Sequence, residues 1–104
     1  MRVERRSGPR VTPKETLLVD YPAYRASVRD INLSGAFIED PRPISPGHVI
    51  RLRIHLSANE SITANAMVRR VEEGRGMGVE FLAMNDADRH RLRKIVGGET
   101  AFEV

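Results

Sequence analysis

Three arginines, Arg5, Arg6 and Arg10, crowd the stretch VERRSGPRV near the start of a 104-residue chain. Arg6 and Arg10 have RxxxR spacing, with Arg5 beside the first of them. A guanidinium group is a planar fork. It grips a phosphate or a purine edge through paired hydrogen bonds and stacks on flat rings. The intervening Ser7-Gly8-Pro9 opposes a regular helix, because glycine is permissive and proline lacks a backbone donor. The segment can therefore curl and aim several guanidinium groups at one anionic site. A disordered basic tail with no site fits the same residues, and the spacing alone does not choose.

A second group lies in RDINLSGAFIE, residues 29–39. Strict strand alternation from Val28 aims Asp30 at the core, where a bare carboxylate is costly. A β-bulge or tight turn at 32–35 would re-aim these side chains outward at a site. The alternative is an Asx-type turn between two strands, with Asp30 and Asn32 bonded to their own backbone.

Other chemistry finds little support. His48 falls in a loop, His55 on the polar face of a strand and His90 on an arginine-rich helix face. They have no HxxxH spacing, and no GxSxG nucleophile motif occurs. The expectation is therefore no catalytic residue, no metal site and no enzyme. The basic helix face of Arg89, His90, Arg91, Arg93 and Lys94 suits a helix C-terminus, and RNA-type interleaving of aromatic and basic residues is lacking. Nucleic acid is not an expected partner.

Composition sets the frame. Hydrophobic residues make up 40% and charged residues 30%, which suits one globular domain. There is no cysteine, hence no disulfide framework, which fits a reducing cytoplasm. No signal peptide or membrane-spanning segment is read, and no membrane insertion is expected. Net charge is only +3, but of the 17 basic residues all except Lys14 and Lys94 are arginine. A GC-rich genome produces the same bias, so position must decide.

The elements that must hold these residues are short strands. Residues 1–13 read as a flexible arginine-rich arm and 15–21 as a strand. In 24–30, Tyr24, Ala26 and Val28 alternate with polar residues. A short strand covers 35–40, and the three prolines of 41–48 make a loop. VIRLRIHL directs Ile50, Leu52, Ile54 and Leu56 to one face. Ile62, Ala64, Ala66 and Val68 share a face of the next strand, Gly74 and Gly76 mark a hairpin, and Met77, Val79 and Phe81 point inward. The period then changes to helical over about 85–96. Asn85 is the cap, Asp86 and Asp88 lie in the first turn, and Gly97 is the stop. Residues 98–104 read as a tail. Six antiparallel strands and one C-terminal helix bury their apolar side most simply as a small closed barrel, an all-β fold occupying 14–97.

ERRSGPRV, VRDINLSGAFIE and GMGVEFLAMNDADRHRLRKIV, in that order, resemble the PilZ domain over about residues 5–97. The resemblance implies a six-stranded antiparallel β-barrel with a C-terminal α-helix that binds cyclic di-GMP, a bacterial second messenger. Arg6 and Arg10 correspond to the family's RxxxR arm. Asp30 and Gly35 correspond to its DxSxxG motif, and Asn32 stands at the serine position, giving DxNxxG. Arg5 is a further candidate phosphate contact. By this reading Arg5, Arg6, Arg10, Asp30, Asn32 and Gly35 bind the ligand, no cofactor is used, and a downstream protein carries a signal into motility or biofilm control. A PilZ scaffold that has lost nucleotide binding and holds a pilus or motility protein is the alternative.

Overall fold

The computed structural model describes residues 10–13, 15–21 and 24–97. Arg5 and Arg6 lie outside them. Six strands run in sequence: β1 (Leu17–Tyr21), β2 (Tyr24–Ile31), β3 (Gly35–Glu39), β4 (Val49–His55), β5 (Ser61–Glu72) and β6 (Gly76–Ala83). They close into a barrel in the order β1-β2-β3-β6-β5-β4, with every pair antiparallel. Closure leaves no strand edge to pair with another chain. A single helix, α1 (Asp86–Val96), follows β6. No described helix is long and apolar enough to cross a membrane.

The alternation read from the sequence is the packing of the barrel. Leu17, Val19, Leu52, Ile54, Ile62, Val68, Met77 and Val79 fill the interior, together with the small Ala64 and Ala66. Small and large residues together fit the limited bore of a six-stranded barrel. Ile50 and Leu56 are only partly buried, and Tyr24 is half exposed, because each sits at a strand end where the barrel opens. The β5–β6 turn spans residues 73–75 with Gly74 at φ 75°, and the Arg75 N–H donates to the Glu72 carbonyl. Gly76 is already the first residue of β6.

The helix follows its sequence signals closely. The Asn85 side chain accepts from the Asp88 N–H, and the Gly97 N–H donates to the Arg93 carbonyl. Leu92 is fully buried in the core, with Ile95 and Val96 packed beside it. Asp88 ties the helix to the barrel, since its carboxylate accepts from the Thr63 N–H at 3.0 Å and from Arg91 at 2.7 Å.

One buried polar pair closes the barrel's side. The Tyr21 hydroxyl donates to Asp40, whose other oxygen accepts from the Arg42 N–H. Burial, then the Asp40 hydrogen bond and charge, push the Tyr21 phenol well above its usual range. A phenol raised in the fold stabilises the native state below its unfolded pKa of about 10, and that stability drains away above it. Stability of the wild-type chain should therefore fall as pH rises past about 10, a decline measurable by urea titration at successive pH values. Tyr21→Phe should remove the phenol's share of that decline, while costing about 1–3 kcal/mol at neutral pH by stranding the Asp40 acceptor.

Candidate ligand-binding site

A β-bulge resolves the parity conflict at Asp30. The β2–β3 register shifts between Val28 and Asp30, so Val28 and Ile31 both face the core while Asp30 pairs opposite Phe37. The break thus falls within β2, ahead of the 32–35 segment where the sequence suggested one. Its Oδ1 accepts from Arg10 at 3.3 Å and its Oδ2 from Arg29 at 3.0 Å. Arg29 also lies over the Phe37 ring, 3.8 Å from its centroid. Cation and ring attract here because the ring face is electron-rich.

The tight turn exists as well. Asn32 Oδ1 accepts from the Ser34 N–H at 2.8 Å and from the Gly35 N–H at 3.0 Å. Of the two residues in the Asx-turn alternative, Asn32 bonds to its own backbone, whereas Asp30 reaches out to arginines. Asn32→Ala should cost about 1–3 kcal/mol, because two backbone donors lose their acceptor, one of them buried. Asn32→Ser should recover much of this, since a hydroxyl oxygen makes a similar, weaker turn. Urea unfolding of the two variants ranks them.

The end of the arginine-rich segment is docked on this turn's flank. Val11 exchanges two backbone hydrogen bonds with Ile31, of 2.8 and 2.9 Å. That bridge sets Arg10, the second arginine of RxxxR, against Asp30 of DxNxxG. They flank a cleft of about 740 Å³, lined by Arg10, Asn32, Ser34, Arg69, Arg70, Gly78, Val79 and Glu80. Arg10 and Asn32 line it directly. Asp30 stands behind Arg10, and Gly35 is buried in the wall.

Gly35 has a role within the barrel. A Cβ there would lie 2.2 Å from the Val79 carbonyl oxygen. The close approach it permits is that of β6's main chain.

Arg69 and Arg70 were not singled out from the sequence. Both are exposed: Arg69 faces outward by alternation, and the β5–β6 register shift between Val68 and Arg70 turns Arg70 outward as well. Arg69 is held by Glu80 and Arg70 lies within 3.7 Å of Glu72, across the strand from Gly78. The cleft lining thus carries three arginines against one glutamate, a net positive lining.

A closed six-stranded antiparallel barrel with one capped helix, and an arginine-lined cleft on its outer wall, is the architecture of this domain. The PilZ domain profile matches residues 2–98, and the chain belongs to the PilZ domain family. Among solved structures it is similar to the Bacillus subtilis inhibitor of motility MotI/DgrA, with TM-score 0.76 and 22% identity, covering 100% of this chain and 55% of that one. The chain therefore spans about half of that protein's length. The PilZ domain of CeSA from a cellulose-synthesizing bacterium aligns at TM-score 0.60 and 17% identity, over 88% of this chain and 97% of that one. An uncharacterized Legionella protein aligns at TM-score 0.57 and 17% identity, over 82% and 86% respectively. At these identities the likeness concerns the fold. No curated protein matches the sequence.

Proposed function

We propose that this PilZ domain is a cyclic di-GMP receptor or adaptor module, a binding protein of the cytoplasm rather than an enzyme. One observation carries the reading: Arg10 and Asp30, 20 residues apart in sequence, form an ion pair beside a basic cleft. Cyclic di-GMP offers two phosphates and two guanines. The guanine Hoogsteen edge presents N7 and O6, a match for one arginine fork. The opposite edge presents N1–H and N2–H, a match for one carboxylate. Each Asp30 oxygen accepts one arginine bond, which leaves a lone pair apiece for such donors. Arg69 and Arg70 are suited to phosphate, as are Arg5 and Arg6 of the arm. Asn32 gives its side-chain oxygen to its own turn and so shapes the cleft wall.

The ligand would bring the arm across the barrel and change the surface offered to a downstream protein. Isothermal titration with cyclic di-GMP tests the reading directly. Saturable heat at micromolar ligand is expected, and no heat from folded protein rejects it. Limited proteolysis is the second test. Cleavage around residues 5–10 should slow with ligand present.

A second reading is a PilZ scaffold that holds a motility or pilus protein without nucleotide. It is favoured by the double arginine clamp on Asp30 and by the likeness to a protein described as an inhibitor of motility.

A further inference from the structure

The barrel carries a second groove, of about 600 Å³, on a different wall. It is lined by residues of β1, β2, β4 and β5, among them Asp20, Tyr24, Arg25, Arg51 and Arg53. In the closed order β1-β2-β3-β6-β5-β4, strand β1 stands diametrically opposite β6. The basic cleft of Arg10 and Arg70 is built around β6. The two walls therefore face away from each other, and both can be occupied together.

The charges on this second wall are unevenly committed. Asp20 accepts from Arg25 at 2.7 and 3.2 Å and lies 2.8 Å from His55 Nε2. Arg25 foremost, with His55, holds its carboxyl well below the usual range. Arg51 and Arg53, by contrast, are exposed and make no ion pair with any described residue. They sit two apart on β4, so their guanidinium groups leave the strand from the same face, roughly 6.6 Å apart along it. Leu18 (40% exposed), opposite His55 on β4, and Val49 (56%), two residues before Arg51, flank them along the wall, and Tyr24 (51%) lines the groove; these are three of the four exposed large hydrophobics among the described residues. Arginine and tyrosine set among apolar side chains is the composition of a protein interface core rather than of an idle surface.

We propose that this β1–β4 wall docks an extended, acidic segment of a partner protein, with carboxylates at alternate positions and apolar side chains between or beside them. An extended chain repeats its side chains on one face every two residues, the same interval that separates Arg51 from Arg53. Each carboxylate then meets one guanidinium fork. The apolar neighbours cover Leu18 and Val49. A nucleic-acid strand fits less well. The phosphodiester backbone of a DNA strand has no donors to set against the Asp20 carboxylate, which lies across from Arg53 in the β1–β4 register, whereas an extended peptide offers main-chain N–H groups there.

Fluorescence anisotropy with a dansyl-labelled decapeptide, in which Glu alternates with Thr and Leu, tests this. The expected result is saturable micromolar binding by the full chain. A peptide of the same composition with its glutamates in one block should bind at least tenfold more weakly. The double variant Arg51→Glu/Arg53→Glu should lose at least tenfold in affinity for the alternating peptide, with an unchanged melting temperature and an unchanged cyclic di-GMP titration. Arg51→Lys/Arg53→Lys should lose less, and serves if the glutamate variant folds poorly. Absence of peptide binding, equal binding of the two peptides, equal binding of a ten-nucleotide oligothymidylate, or undiminished binding by the charge-reversed variant would each overturn the proposal.

Discussion

Replacing Arg10 with alanine should weaken cyclic di-GMP binding by at least about a hundredfold while leaving the barrel intact. The two halves of this expectation come from different parts of the geometry. Arg10 contributes to the fold mainly through the Asp30 pair at 3.3 Å, and its side chain is one-third exposed. Such pairs are worth about 1 kcal/mol or less. Asp30 is not stranded by the change, because Arg29 remains on its other oxygen at 3.0 Å. The Val11–Ile31 bridge uses only main-chain groups and also survives. Toward an anionic, purine-bearing ligand the balance is different. A charge-assisted hydrogen bond contributes about 1.5–3 kcal/mol, and a guanidinium fork makes two. Since about 1.4 kcal/mol is tenfold in affinity, the loss exceeds a hundredfold. Calorimetric titration of Arg10→Ala beside a thermal melt separates the two halves. Arg10→Lys should restore only part of the affinity, because an ammonium keeps the charge but not the fork. Affinity within threefold of wild type for Arg10→Ala would remove this residue from the site.

The sequence made the barrel legible because its strands alternate over most of their length. Leu52 and Ile54, Ile62 to Val68, and Met77 to Phe81 all fell inward as the period required. The break at Asp30 was legible for the same reason, since a carboxylate at an inward position is improbable without a bulge. Arg70 carries an identical signal. Continuing the inward series Ala64, Ala66 and Val68 by two places aims Arg70 at the core and leaves Val71 outside. Only a second bulge cures this, and the β5–β6 register shift supplies it. Read with the same rule, VRRV would have named Arg69 and Arg70 as candidates. The roles of Gly35 and Asn32 were harder to foresee. Each depends on how closely two strands meet across the barrel or how a four-residue turn folds back. Spacing along one strand does not encode such distances.

Gly35→Ala should cause a large loss of stability. The added Cβ would sit 2.2 Å from the Val79 carbonyl oxygen. That atom is main chain, paired in the β3–β6 ladder beside Gly35 and Glu80, so it cannot swing aside as a side-chain tip would. An open sheet could splay β3 outward. In a closed barrel β3 is bonded to β2 on its other side, and any displacement propagates around the ring. Overpacking of this kind costs about 3 kcal/mol, against a total of roughly 5–15 kcal/mol for a domain of this size. The melting temperature should fall by roughly 12–24 °C. Gly74→Ala is the contrast. At φ 75° with open space around it, that residue bears only left-handed strain, about 1–2 kcal/mol, and should melt higher than Gly35→Ala. The consequence for the site follows from position. Val79 and Glu80 line the cleft that Gly35 underlies, so pushing β6 away reshapes the lining itself. Stability and ligand affinity should therefore fall together in Gly35→Ala, whereas in Arg10→Ala affinity falls alone. A Gly35→Ala protein that melts within about 4 °C of wild type would mean that β3 and β6 are not held at this spacing.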